Sequence, residues 1–183
     1  MAESFMARLV NRARSFSAAD AGSVSIEFAL VALSALYMIF NGAEVARWYA
    51  QSTEVSNAVH VSAQAVLKTC DASHLPAKVN CSGMSNAITN SLQSTSLGSS
   101  VVLSSGYPTE AYYCINSSGA LVQVGATTSP KPADCSAVGD TTRTPGDYVY
   151  IVAASTFAPM ISGITIGDAM PTTMTATGFI RLQ

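Results

Sequence analysis

Two histidines, His60 and His74, supply the side chains that titrate near neutral pH, and neither stands in a pattern that does chemistry. His60 lies between Val59 and Val61, which reads as a surface or interface histidine. His74 lies between two cysteines in a loop. No G-x-S-x-G elbow, H-E-x-x-H pair or glycine-rich phosphate loop occurs. The carboxylates are sparse and scattered, which speaks against the paired acids of a glycosidase. The chain therefore reads as non-enzymatic, with no catalytic residue, cofactor or metal centre expected. The cysteines are Cys70, Cys81, Cys114 and Cys135. With no CxxC pair, and with poor ligand spacing among Cys70, His74 and Cys81, zinc is a weak reading and free thiols a bland one. An even count fits two disulfides, for which three pairings exist. The sequence-local pairing, Cys70 with Cys81 and Cys114 with Cys135, closes the shortest loops and is the one expected.

The most informative residue is Glu27. It stands in Gly22-Ser23-Val24-Ser25-Ile26-Glu27-Phe28, at the mouth of an apolar run from Phe28 to Phe40 that only Ser34 interrupts. A carboxylate at the end of a lipid-facing helix is costly, so it asks for a role and a partner. If the chain is cut after Gly22, Ser23 gains a cationic amine and Glu27 becomes the fifth residue. The bland reading of Glu27 is a snorkelling carboxylate favoured by the positive end of a helix.

Composition agrees with a membrane segment. Of 183 residues 49% are hydrophobic and only 11% charged, well below the ~25% of soluble domains. The net charge of −2 leaves no basic face for nucleic acid. Arg8, Arg12 and Arg14 precede Gly22 against Glu3 and Asp20, whereas the remainder carries six basic and nine acidic residues. Positive charge ahead of an apolar run keeps that end in the cytoplasm and puts the rest of the chain outside. The stretch free of charge after Glu27, residues 28–43, covers roughly 24 Å as a helix, slightly short of the ~30 Å hydrocarbon core. Trp48 and Tyr49 beside Arg47 read as an interface anchor. An ordinary signal peptide fits less well. Asn41 and Glu44 sit poorly three positions before the cuts that Ala43 and Ala46 would offer, and the pattern does not stop there. Val45, Trp48, Val55, Val59, Ala63 and Val66 recur at helical steps, an apolar stripe expected to pack on the chain's own domain.

These elements give three segments: a basic leader over 1–22, a long helix over 23–69 with a transmembrane segment over 24–43, and an α+β domain over 70–183. Residues 71–82 read as a loop around Pro76, and Ser82 to Leu97 as a second helix ended by Gly98. Strands are expected at Val101-Val102-Leu103, Ala111 to Asn116, Ala120 to Val124, Asp147 to Phe157 and Thr172 to Leu182. Asn116-Ser117-Ser118-Gly119 signals a hairpin turn, and the stretch from Gly125 to Gly146 a long exposed loop carrying Cys135. The fold class is α+β: a long N-terminal helix packed on a small antiparallel sheet.

The short basic leader, Gly22, Glu27-Phe28 and the Ala-rich helix resemble the type IV prepilins. More narrowly, they resemble the TadE-like pseudopilins of the tight-adherence (Tad/Flp) pilus system. The likeness covers residues 17 to 69 and is looser at Gly146-Asp147-Tyr148-Val149 and Pro159. Ser23 stands where other type IV pilins often have an aromatic residue, a small residue that the Tad branch tolerates. The major pilin of that branch is a very short peptide, so a domain of this size implies a minor pilin or pseudopilin. The resemblance implies a pilin-like fold and cleavage between Gly22 and Ser23 by a prepilin peptidase. It implies assembly and recognition through Glu27 and Phe28. The implied partners are other pilins, an inner-membrane assembly platform and the lipid bilayer. The chain would start in the bacterial inner membrane with a periplasmic domain and reach the cell surface or pilus on assembly. The alternative is an uncleaved, membrane-anchored adhesin or receptor that binds through residues 125–146.

Overall fold

In the computed structural model the described residues are 2–163 and 165–183, with side chains described for all of these except 2–23 and Ala72. The leader and the Gly22–Ser23 junction thus lie outside the residues whose side chains are described. Helix α1 runs Ala2–Thr69, α2 Ala77–Asn80 and α3 Met84–Gln93. The strands are β1 Val101–Leu103, β2 Thr109–Ile115, β3 Leu121–Ala126, β4 Gly146–Thr156 and β5 Thr173–Arg181. Two compact units divide the chain. One comprises Met1–Ala46 with Pro159–Asp168, and the other Arg47–Ala158 with Ala169–Gln183. The border falls inside α1, well before its end at Thr69.

The second unit is α+β, with a five-stranded antiparallel sheet. β4 is its centre. Along one edge it pairs with β5 from Tyr148↔Arg181 to Thr156↔Thr173. Along the other it pairs first with β2 and then with β1. β3 closes the hairpin with β2, with a bulge between Tyr112 and Tyr113. The hairpin turns at Asn116-Ser117-Ser118-Gly119. There Asn116 Oδ1 accepts from the Ser118 and Ala120 N–H groups, and Gly119 takes φ +82, the left-handed region that favours glycine.

β4 alternates strictly. Asp147, Val149, Ile151, Ala153 and Ser155 are buried on one face, and Tyr148, Tyr150, Val152 and Ala154 are half-buried on the other. The buried face joins one hydrophobic cluster with Val55, Ala58, Val59, Ala63 and Val66 of α1 and Met84, Ile88 and Leu92 of α3. These α1 residues recur at three- and four-residue steps, one stripe of the helix. Each Val or Ile so buried contributes roughly 1.5–3 kcal/mol. The expected stripe is correct from Val55 onwards, but Val45 stays 44% exposed and is not part of it. Helix and sheet approach closely at Gly178 of β5, where a Cβ would lie 2.6 Å from Val59 Cγ1, so only glycine fits.

Residues 71–82 are more ordered than a loop. Asp71 Oδ1 accepts from Ser73 N–H at 2.9 Å, opening a turn of 3₁₀ helix, and α2 follows Pro76. The cysteines pair locally, Cys70 with Cys81 and Cys114 with Cys135, with Cα separations of 5.7 and 5.8 Å. The loop after β3 is mostly exposed but pinned. Cys135 is buried, and the Lys131 ammonium lies 5.9 Å from the Tyr112 ring centroid.

Candidate membrane and assembly segment

From Val24 to Phe40 the apolar side chains of α1 are exposed on every side, Phe28 at 74%. This is one helix long and apolar enough to anchor the chain in a membrane. Two of its polar side chains bond back to helix carbonyls. Ser34 Oγ donates to the Leu30 carbonyl at 3.0 Å and Asn41 Nδ2 to the Tyr37 carbonyl at 2.7 Å. Such back-bonding lowers the cost of polar groups in hydrocarbon. Glu27 is exposed next to Phe28. It lies far inside α1, which starts at Ala2, so in the uncut chain no helix N-terminus stabilises it. A cut after Gly22 would create such an end one turn away.

At the other end of the apolar run, the same unit contains a feature that the hydropathy pattern hides. The loop 159–168 is tied to two helix side chains. Asn41 Oδ1 accepts from the Ile166 N–H at 2.7 Å, and Glu44 Oε1 from the Met160 N–H. The loop also braces itself. Thr165 Oγ1 donates to the Ile161 carbonyl at 2.9 Å, and the Gly163 N–H to Asp168 Oδ2 at 2.6 Å. Glu44 is only 1% exposed. A Cβ on Gly167 would come within 3.3 Å of Glu44 Oε2 and 3.0 Å of Pro159, so the loop backbone closes directly over the carboxyl group. In the sequence, Glu44 is simply a charge that ends the apolar run. The only hint of another role is the spacing of Pro159, Gly163 and Gly167.

The α+β unit orders its own ends of helix and loop. The Trp48 indole N–H donates to the Pro171 carbonyl at 3.3 Å, while Tyr49 is freely exposed. His60 is exposed, and His74 pairs with Asp71 at 2.7 Å. The Ser73 hydroxyl, then His74, hold the Asp71 carboxyl down at about 2. Two carboxyl groups are buried close together, Glu110 on β2 and Asp147 on β4. The Glu110 oxygens accept the Ala77 and Lys78 N–H groups at 2.6 Å each, fastening the start of α2 to the sheet. Burial, then the charge of Glu110 and the hydrogen bond with it, push Asp147 up to about 7, with Lys131 opposing. Burial beside a second carboxyl group thus favours the protonated form of Asp147.

The sheet face opposite α1 carries an aromatic cluster. Tyr150 stacks on Phe179 with centroids 4.2 Å apart, and Tyr107, Tyr113 and Tyr148 extend it edge to face. Sequence reasoning missed this cluster, although the alternation of Tyr148 and Tyr150 in β4 carries its signal. Compared with protein-family models, curated proteins and solved structures, the chain matches none.

Proposed function

We propose that the chain is a non-enzymatic, membrane-inserted prepilin-like subunit, a TadE-like minor pilin or pseudopilin with a pilin-like fold. A prepilin peptidase processes it after Gly22, and it joins a Tad-type pilus or related secretion machine with other pilins at an inner-membrane platform. The observation that carries the proposal is the exposed large apolar side chains of α1 from Val24 to Phe40, with Glu27 at their mouth and a separately packed α+β unit following in the chain. The basic leader favours a cytoplasmic N-terminus and a periplasmic domain.

Glu27 is the recruiting group in this scheme. An unpaired carboxylate in lipid costs a few kcal/mol. The Ser23 amine of a neighbour, exposed only after cleavage, offsets that cost only on assembly. Intact mass of the membrane-extracted protein tests the processing step: the mature chain begins at Ser23. A start at Met1 favours the second reading, an uncleaved anchored adhesin or receptor, which draws on the aromatic sheet face and the loop 125–146.

A further inference from the structure

We propose that the loop 159–168 is a lipid-facing collar that lengthens the membrane-embedded surface of α1 by covering Glu44. The proposal rests on the membrane reading of α1 and adds to it a second element, distant in sequence, that shares the bilayer. By sequence alone the charge-free helix ends at Ala43, and its roughly 24 Å falls short of the ~30 Å hydrocarbon core. With Glu44 only 1% exposed, the next charge on the helix is Arg47. The uncharged surface then spans residues 28–46, roughly 28 Å.

The loop sets two large apolar side chains at the surface, beside exposed Ser162 and Asp168. Met160 is 57% exposed and Ile166 50% exposed, the two residues whose N–H groups Glu44 and Asn41 hold. Within 159–168 the one charged residue is Asp168, which accepts the Gly163 N–H. A loop in lipid must satisfy its backbone internally. This one uses Asn41, Glu44 and Asp168 as acceptors for three of its N–H groups, and Thr165 bonds back to the Ile161 carbonyl. Exposed Met160 and Ile166, fixed at the end of an exposed apolar helix, continue its surface into the outer boundary of the bilayer. The occupant is therefore lipid acyl chain.

Single cysteines placed at 33, 160, 166 and 117 in the full chain test this. Each is labelled with an environment-sensitive fluorophore under non-reducing conditions and reconstituted in phosphatidylethanolamine–phosphatidylglycerol vesicles. Probes at Met160 and Ile166 are expected to shift to the blue. Nitroxides on the lipid acyl chains should quench them severalfold more than the probe at Ser117, on the exposed hairpin turn. If the Leu33 probe is lipid-quenched but those at 160 and 166 answer only to aqueous iodide, the collar is refuted and the anchor stands. If the Leu33 probe is aqueous too, the membrane reading itself fails, and the collar with it. In the variant Asn41→Ala/Glu44→Ala the probe at 160 should lose its lipid quenching while that at 33 keeps it. Retention at both positions overturns the holding role of these two side chains.

Discussion

Replacing Asp147 by asparagine should remove a pH dependence from the α+β unit. Asp147 is 1% exposed on the inner face of β4, beside a Glu110 whose oxygens accept two backbone N–H groups. Its proton is held up to about 7, against 3.8 for an ordinary aspartate. Between those values the folded chain keeps a proton that the unfolded chain gives up. Stability from this group is therefore complete below pH ~4, declines as pH rises towards 7, and is level above. About 3 pH units at 1.36 kcal/mol each give at most ~4 kcal/mol. The substituted amide would be neutral at every pH and keep an N–H donor for Glu110. The variant should match the wild type near pH 4 and exceed it near pH 8, with no slope between. Urea unfolding of the detergent-solubilised chain, followed by near-ultraviolet circular dichroism from pH 4 to 8, reads this out. A flat wild-type profile, or the same slope in Asp147→Asn, would show that Asp147 ionises in the fold without cost.

Further outcomes are expected from packing and from the proposed assembly. Glu27→Gln should still be inserted and cleaved after Gly22 but be lost from sheared or cross-linked pilus fractions; incorporation at the wild-type level refutes the recruiting role. A variant left uncleaved would instead place Glu27 in the peptidase's recognition site. Gly178→Ala should destabilise the α+β unit by ~1–3 kcal/mol, because its Cβ would meet Val59 Cγ1 at 2.6 Å. Adding Val59→Ala should recover part of that loss in thermal unfolding, and equal stability of Gly178→Ala and wild type defeats the close-contact account. Serine at both positions of either disulfide, closing separations of 11 and 21 residues, should each cost about 3 kcal/mol in chemical unfolding.

Much of the architecture is legible in local pattern. The stripe from Val55 to Val66 announces a helix packed on one side, and α1 ends at Thr69, next to Cys70. Turn chemistry at Asn116-Ser117-Ser118-Gly119 places the β2–β3 hairpin, and the alternation in β4 marks its two faces. What escapes is what depends on partners far away in sequence. Glu44 reads as a surface charge until residues 159–168 close over it. Asp147 reads as a polar start to a strand, yet its place in the alternation turns it inward beside Glu110. Residues 77–80 look like loop because the acceptor for their first N–H groups, Glu110, lies over 30 residues on. Val45 shares the helical spacing of the buried stripe, but spacing alone does not say where along α1 the sheet begins. The processing site proposed at Gly22 and the recruiting role proposed for Glu27 rest on the leader, the apolar run and the resemblance, since chemistry between chains leaves no mark within one fold.

The position of β4 also sets an order of events in time. It is the hub of the sheet, but its longest partner, β5, is made after it, and its other partners, β1 and β2, long before. As the chain is made, the β2–β3 hairpin can close as soon as residue 126 is available. β4 keeps one whole edge bare until Arg181 has followed. Sheets dominated by such distant pairings close slowly. During that interval a strand of alternating Tyr and Val is open to any other strand edge nearby, which makes the newly made chain, more than the finished one, the species that a chaperone would need to shield.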